Sequence, residues 1–223
     1  MAKGKVWLTH SKTGVKKAKT QLEALGYQTF SSPLIDIIPP VQMPSVANKD
    51  ALLIFTSQNG VRAFCELSDN RHHEVVTVGD ATANLAREMG FISVLSAQGS
   101  SKEVTQTVLS EFKPRRVLHC AGKNIRGQIV RDLNAKGFQA EHHIYYEQQP
   151  VSRLPILPND LTHIMFFSPM AAKTYQILSK DRPDLISIAI SQVTDTALKS
   201  LAFKERRVAT LPNLNAMLTA LEA

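Results

Sequence analysis

Residues 52–60 read Leu52-Leu53-Ile54-Phe55-Thr56-Ser57-Gln58-Asn59-Gly60, a run of four apolar residues that breaks into a small polar loop. An unbroken apolar run of this length fits a strand buried on both faces, as in a parallel sheet. The serine behind it is a preferred helix N-cap, so a helix over 59–68 is expected. The pattern returns later as Ile164-Met165-Phe166-Phe167 followed by Ser168-Pro169-Met170-Ala171. Ser57 and Ser168 are separated by 111 residues (168 − 57 = 111), and the same offset relates Val6 to Val117, Leu22 to Leu133, Gly26 to Gly137 and Pro39 to Pro150. One residue further on, Val78-Gly79-Asp80-Ala81-Thr82 falls on Ile190-Ser191-Gln192-Val193-Thr194, and Phe91 on Phe203 (203 − 91 = 112). Solenoid repeats run to roughly 20–50 residues, so this period marks a duplicated half-protein of domain size. Two similar domains are expected to enclose a cleft, and such clefts are preferred ligand sites.

On either side of these runs, short β-branched stretches alternate with amphipathic ones. Strands are expected at Lys5 to Thr9, Leu52 to Phe55, Val75 to Val78, Ile92 to Leu95, Arg116 to His119, His142 to Glu147, Ile164 to Phe167 and Ile186 to Ile190. Helices are expected over 12–25, 59–68, 81–89, 101–112, 125–136, 169–180, 193–201 and 213–222, with Gly26 closing the first as a C-cap. This alternation predicts an α/β protein with parallel sheets covered by helices. Pro39-Pro40 with Pro44, and Pro150 with Pro155 and Pro158, interrupt the two halves at matching positions and mark inter-domain crossings. Two such crossings permit an exchanged arrangement: residues 1–37 with 151–223 as one domain, 38–150 as the other, and linker crossings near 37–40 and 147–151. From spacing alone, a sequential split near residue 113 fits equally well.

The 223 residues are 43% hydrophobic and 20% charged, enough for ordinary cores. No apolar run reaches the roughly 18 residues that span a bilayer, and Met1-Ala2-Lys3-Gly4-Lys5-Val6-Trp7 has no signal-peptide core. A soluble, cytoplasmic protein without membrane contact is expected. Cys65 and Cys120 suggest neither a disulfide framework nor a zinc site, and a structural role is expected of both. The net charge of +7 suits nucleic acid, a small polyanion or simple solubility. The basic residues are dispersed and no nucleic-acid module accompanies them, which favours the polyanion over nucleic acid.

In open parallel sheets, ligands bind beyond the carboxyl ends of strands. There the chain places Thr56-Ser57-Gln58-Asn59-Gly60, Gly79-Asp80-Ala81-Thr82, Ser168-Pro169-Met170-Ala171 and Ser191-Gln192-Val193-Thr194. Each leads directly into a helix, whose first-turn N–H groups suit a carboxylate or phosphate. Plain N-capping by Ser57, Asp80, Ser168 and Ser191 explains any one of these loops. Four of them, repeated in two halves, point to an anion-binding cleft. Gly122-Lys123-Asn124-Ile125-Arg126-Gly127 follows a strand, but Gln128-Ile129 stands where a phosphate loop needs Lys-Ser/Thr, which excludes a nucleotide triphosphatase. Lys123 and Arg126 remain carboxylate-contact candidates, with a solvated helix face as the alternative. The seven histidines show no metal spacing, and no nucleophile–base pair of the triad kind stands out. Spacing alone favours Tyr146 as a packing residue with a hydrogen bond, with a proton donor facing the cleft as the alternative.

Taken in order, Ile54 to Val61, Val78 to Ala83, Gly122 to Leu133 with Gly137, Tyr145-Tyr146-Glu147, Phe166 to Pro169, and Leu211-Pro212-Asn213 before an apolar helix resemble the uroporphyrinogen-III synthase family over nearly the whole chain. The resemblance implies two flavodoxin-like parallel-sheet domains with an exchanged N-terminal segment, joined by a two-stranded linker. It implies closure of the linear tetrapyrrole hydroxymethylbilane to uroporphyrinogen III, with inversion of the last ring and loss of water. It implies no metal and no organic cofactor, a monomer, and at most transient contact with hydroxymethylbilane synthase. Tyr146 matches the tyrosine thought to assist hydroxyl departure, Thr82 and Thr194 match paired cleft threonines, and Ser57 and Ser168 match strand-end serines that suit carboxylate binding. Gln58, Asn59, Gly79, Pro169, Met170 and Ser191 share those loops and are expected to contact substrate.

Two departures stand out. Where many members read Thr-Arg-Pro near the start, this chain reads Thr9-His10-Ser11, so an arginine role is lost or passes to His10. Where the second-half loop usually reads Gly-Pro-Thr-Thr-Ala, this chain reads Ser191-Gln192-Val193-Thr194-Asp195, which brings a negative charge to a proposed anion site. The competing reading is a non-catalytic two-domain binding protein or sensor for an anionic metabolite, since fold does not fix function.

Overall fold

The computed structural model describes residues 3–10, 12–44, 50–125 and 127–223. In chain order the elements begin with β1 (Lys5–Leu8), α1 (Lys12–Ala24), β2 (Gln28–Ser31), β3 (Ile35–Ile38), β4 (Leu52–Phe55), α2 (Gln58–Leu67), β5 (Val75–Thr77) and α3 (Asp80–Glu88). They continue with β6 (Val94–Ser96), α4 (Ser101–Glu111), β7 (Arg116–Gly122), α5 (Ile129–Asn134) and β8 (Gln139–Pro150). They end with β9 (Leu161–Phe166), α6 (Pro169–Leu178), β10 (Arg182–Ala189), α7 (Gln192–Thr196), β11 (Phe203–Val208) and α8 (Leu214–Glu222).

Two sheets result, with strand orders β11-β10-β9-β1-β2 and β3-β8-β7-β4-β5-β6. In the first sheet every pair is parallel, with Val6 opposite Thr29 and Trp7 opposite Ile164. In the second, β8-β7-β4-β5-β6 is parallel throughout, with Ile54 opposite His119. Numbered along its own chain, the first sheet has the flavodoxin-like order 2-1-3-4-5. The repeat offset puts β7 where β1 stands (117 − 6 = 111) and β4 where β9 stands, so the second sheet has the same spatial order but enters it at the third strand. Because β1 pairs with β9, the start of the chain completes the sheet built by its end. The chain divides into two compact units, Met1–Asp36 with Gln149–Ala223 and Ile37–Gln148, and it passes between them within β3 and β8, neighbouring strands of the second sheet.

The strands alternate their side chains between two helical layers, and the cores follow that period of two. In the first unit Val6 and Leu8 join Leu22, Met165, Ile188 and Met217, while Trp7 joins Ile164, Phe166, Tyr175 and Leu198 on the opposite face. In the second, Leu53 and Phe55 pack with Phe64, Leu118 and Cys120, and Leu52 and Ile54 with Val76, Val104, Val117 and Leu133. All four residues of β4 are buried. Full burial of one such side chain contributes about 1.5–3 kcal/mol.

Helix ends carry the repeat as well. Gly26 (φ +88) ends α1 with Tyr27 N–H bonded to Leu22 C=O at 3.0 Å, and Gly137 (φ +86) ends α5 with Phe138 N–H bonded to Leu133 C=O at 3.2 Å. Both are the six-to-one closure that a left-handed glycine allows. Several expected elements differ. Ile92 is 82% exposed in the turn after Gly90, so β6 begins at Val94 rather than Ile92. The expected helices 125–136 and 193–201 shrink to Ile129–Asn134 and Gln192–Thr196. Three strands, β2, β3 and β11, arise where no strand pattern is read. β11 reads Phe-Lys-Glu-Arg-Arg-Val, and such charge on an edge strand discourages edge-to-edge pairing. Among the described residues no helix is long and apolar enough to cross a membrane.

Candidate active site

A doubly wound sheet opens its crevice where the strand order reverses, beyond the carboxyl ends of the two flanking strands. In the second unit these strands are β7, which ends at Gly122 and leads into Lys123-Asn124, and β4, followed by Thr56-Ser57. In the first unit they are β1 and β9, followed by Thr9-His10 and by Phe167-Ser168.

In the second unit the buried Tyr146 of β8 lies opposite Gly122, and its hydroxyl shares a hydrogen bond of 3.0 Å with Ser57 Oγ. Ser57 caps α2: it is extended (φ −157) and its Oγ accepts Gly60 N–H at 3.1 Å. Gln58 Nε2 donates to Ala81 C=O at 2.9 Å, tying the loop after β4 to the start of α3, and Asn59 lies in the first turn of α2. Gly79, not Asp80, is the N-cap of α3, with no side chain to cap and open space where a Cβ would stand. The expectation for Asp80 is therefore corrected. It is the first helical residue, and its carboxylate accepts the Ser96 hydroxyl at 2.6 Å. Thr82, in the first turn of α3, is buried. Lys123 donates its backbone N–H to Tyr146 C=O at 3.1 Å, and its ammonium pairs with Glu147 at 3.1 Å. Arg126 lies outside the described residues.

Beneath these loops sits a pair of histidines that the sequence pattern does not announce. His119 Nε2 and the Thr56 hydroxyl are 3.0 Å apart, the His119 and His142 rings lie 5.5 Å apart, and His142 Nε2–H donates to Gly122 C=O at 3.1 Å. Burial, and then the neighbouring His142, push the His119 pKa down to about 4. Its Nδ1 is buried with no partner among the described residues, so a second N–H would have nothing to donate to. Burial likewise lowers the pKa of His142, against the Gly122 hydrogen bond that raises it. The one available signal was a lone histidine in the apolar run Val117-Leu118-His119-Cys120. Burial raises the thiol pKa of both Cys120 and Cys65, which suits inert packing residues.

In the first unit Ser168 repeats the part of Ser57, capping α6 by accepting Ala171 N–H at 3.1 Å, with Pro169 at the first helical position. Met170 C=O accepts the Thr174 hydroxyl at 2.9 Å. The His10 ring lies 5.0 Å from Phe167, so the loops after β1 and β9 meet. Ser191 caps α7, and its Oγ is 3.1 Å from Oγ1 of the fully buried Thr194. The charge on Asp195 is matched. Arg206 reaches it with a two-pronged fork, Nε to Oδ1 at 2.9 Å and Nη2 to Oδ2 at 2.6 Å, and Nη2 also donates to its C=O at 2.8 Å. Each unit thus gathers its own candidates: Ser57, Gln58, Lys123 and Tyr146 around one crevice with Gly79 and Thr82 on the next strand's loop, and His10, Ser168, Pro169 and Met170 around the other with Ser191 and Thr194 beside them. Among the described residues no three His, Cys, Asp or Glu side chains come together as a metal-binding group.

The architecture defines a class: two parallel α/β units of flavodoxin-like strand order, the first strands exchanged, with polar strand-end loops at each switch point. The model of one family, described as Uroporphyrinogen-III synthase HemD, matches residues 16–219. The chain belongs to that family, whose members are cyclising lyases of tetrapyrrole biosynthesis. Among solved structures it is similar to a uroporphyrinogen-III synthetase from Helicobacter pylori, at 18% identity and a TM-score of 0.65, covering 100% of this chain and 99% of that one. It is also similar to a mutant uroporphyrinogen III synthase from Thermus thermophilus, at 16% identity and a TM-score of 0.52, covering 98% and 97%. At these identities the likeness concerns the fold. No curated protein matches the chain.

Proposed function

We propose that the chain closes hydroxymethylbilane to uroporphyrinogen III with Tyr146 as the proton donor to the departing hydroxyl. The observation that carries this reading is the 3.0 Å bond between Tyr146 and Ser57. Ser57 Oγ already accepts Gly60 N–H, which leaves its own proton to be donated to the phenol oxygen. The Tyr146 O–H is then directed at the substrate, and the bond from Ser57 supports the negative charge that grows as the proton leaves. The terminal C–O bond breaks, water departs, and an electrophilic azafulvene remains. The substituted carbon of the last ring attacks it, the spiro intermediate fragments, and the fragment recloses in the inverted sense. The proton lost from the ring carbon at the end restores the phenol, so the balance is loss of one water.

The other roles are those of a cradle. The substrate bears acetate and propionate arms on every ring. The first-turn N–H groups of α2, α3 and α6, with the backbone N–H groups of Ser57, Gly79 and Met170 and the side chains of Gln58, Asn59, Thr82 and Ser168, offer donors to carboxylates, and Pro169, which has no N–H to give, fixes the first turn of α6. His10, Lys123, Ser191 and Thr194 extend the set. Holding the chain folded is most of the catalytic task, since unassisted closure gives the uninverted isomer. That spontaneous loss also favours direct receipt of substrate from hydroxymethylbilane synthase. The protein acts as a cytoplasmic monomer, in transient contact with that enzyme.

Purified protein supplied with enzymatically generated hydroxymethylbilane should yield isomer III, and Tyr146→Phe should lower kcat about tenfold or more. Isomer I alone would leave a binding protein for an anionic metabolite, and unchanged kcat in Tyr146→Phe would remove the tyrosine from the chemistry.

A further inference from the structure

From the junction of β7 and β8 we infer that Gly122 is a positioning residue for the ring closure, its missing side chain being the seat on which the Tyr146 phenol lies. The inference rests on the proton-donor reading of Tyr146.

Three observations converge. The pairing of β7 with β8 slips where it reaches the site: Ala121 faces Ile144, but Gly122 faces Tyr146, so Tyr145 is an extra residue on β8. Consecutive residues of a regular strand point to opposite faces. Here Tyr145 and Tyr146 both pack into the same cluster, with Phe55, Phe64 and Leu118. A bulge re-aims a side chain in this way, and such bulges gather beside active sites. Tyr145 fills the core, its ring 5.5 Å from Phe64, and Tyr146 is left to lie across the end of β7 towards Ser57.

The space it occupies belongs to Gly122. A Cβ at this position would come within 2.6 Å of Tyr146 Cε2, 2.7 Å of Cζ and 3.1 Å of the hydroxyl. Gly122 is not among the glycines of positive φ, so the requirement is for room and not for a special backbone. Both sides of the seat are pinned. His142 donates to Gly122 C=O at 3.1 Å, and Lys123 N–H donates to Tyr146 C=O at 3.1 Å. Neither backbone can retreat from an added methyl group without losing a hydrogen bond, so the ring itself must move. A displacement of about 1 Å of a reacting group can lower a rate by about a hundredfold.

The test compares Gly122→Ala, Tyr146→Phe and the double variant on enzymatically generated hydroxymethylbilane. Gly122→Ala should lower kcat about tenfold or more with KM within about twofold, and should add nothing to Tyr146→Phe, because the hydroxyl it displaces is already gone. A Gly122→Ala kcat within about twofold of the parent, a change confined to KM, or losses that multiply in the double variant would each overturn the positioning role while leaving Tyr146 as the donor. An unchanged Tyr146→Phe would overturn the donor reading and the positioning role with it. If Gly122→Ala does not fold, the same substitution in a Tyr146→Ala background decides: folding restored there supports the seat, and failure in both backgrounds overturns it.

Discussion

Ser57 and Ser168 begin equivalent helices 111 residues apart, and each accepts an N–H from three residues on at 3.1 Å. Of the two, only Ser57 has a tyrosine hydroxyl as a partner among the described residues. The position equivalent to Tyr146 in the first unit is Ile35 (146 − 111 = 35), a packing residue of that unit's core. Other pairs sort the same way. Phe55 and Phe64 meet edge to face at 5.7 Å, and their equivalents Phe166 and Tyr175 meet at 5.2 Å. Gly26 and Gly137 end equivalent helices with the same backbone closure. By contrast, Gly60 corresponds to Ala171, and His119 to Leu8 (119 − 8 = 111). Gly60 is held to its size because a Cβ there would stand 2.5 Å from Cys120 C=O, drawing α2 tightly onto β7. What a parallel sheet needs for packing is kept in both copies. What differs clusters around the loops after β4 and β7.

The equivalence of the two units is challenged most directly in their shared packing. Phe64→Ala and Tyr175→Ala should each destabilise the protein by about 3–5 kcal/mol in denaturant titration, since both empty a fully buried aromatic site. A large loss in one and a small loss in the other would mean that the two cores are not equivalent. The next effect belongs to the second unit. His119 takes up a proton at about pH 4 in the native protein and at its ordinary value of 6.5 when unfolded. Between these values the unfolded chain binds the proton first, so stability is full above pH 6.5 and falls as the pH drops towards 4. His119→Leu, which copies Leu8, should flatten that fall by roughly 2–3 kcal/mol. An identical pH profile in the variant would show that His119 does not carry the acid sensitivity. The smallest effect separates the two serines. Ser57→Ala and Ser168→Ala should each lose about 1 kcal/mol of helix capping, but only Ser57→Ala should also lower kcat beyond its effect on KM. Equal kinetic losses would assign the two serines the same part in the reaction.

Much of the scaffold was legible because its signals are short-range. Apolar runs, capping serines and helix-closing glycines each act over a few residues, and the 111-residue echo made each visible twice. The expected cap at Asp80 missed because Gly79 already supplies the extended turn, and a carboxylate one step on finds Ser96 instead. β2 and β11 were missed because edge strands need no apolar run: Phe203 to Val208 is held by pairing with β10, not by its own hydrophobicity. The Asp195 charge reads as a flaw in an anion site because Asp195 lies in α7, while the arginine that matches it stands 11 residues further on, in β11.

Family membership, the duplicated α/β plan and the serine and threonine loops could all be read before any coordinates, since they are written in local pattern and in the order of motifs. Three-dimensional packing alone disclosed that the bulge at Tyr145 turns two neighbouring tyrosines to one face, that Gly122 leaves room for the second, and that His119 and His142 support the loops on either side. Each of these depends on strand register and on atoms brought together from distant parts of the chain, which residue spacing does not encode.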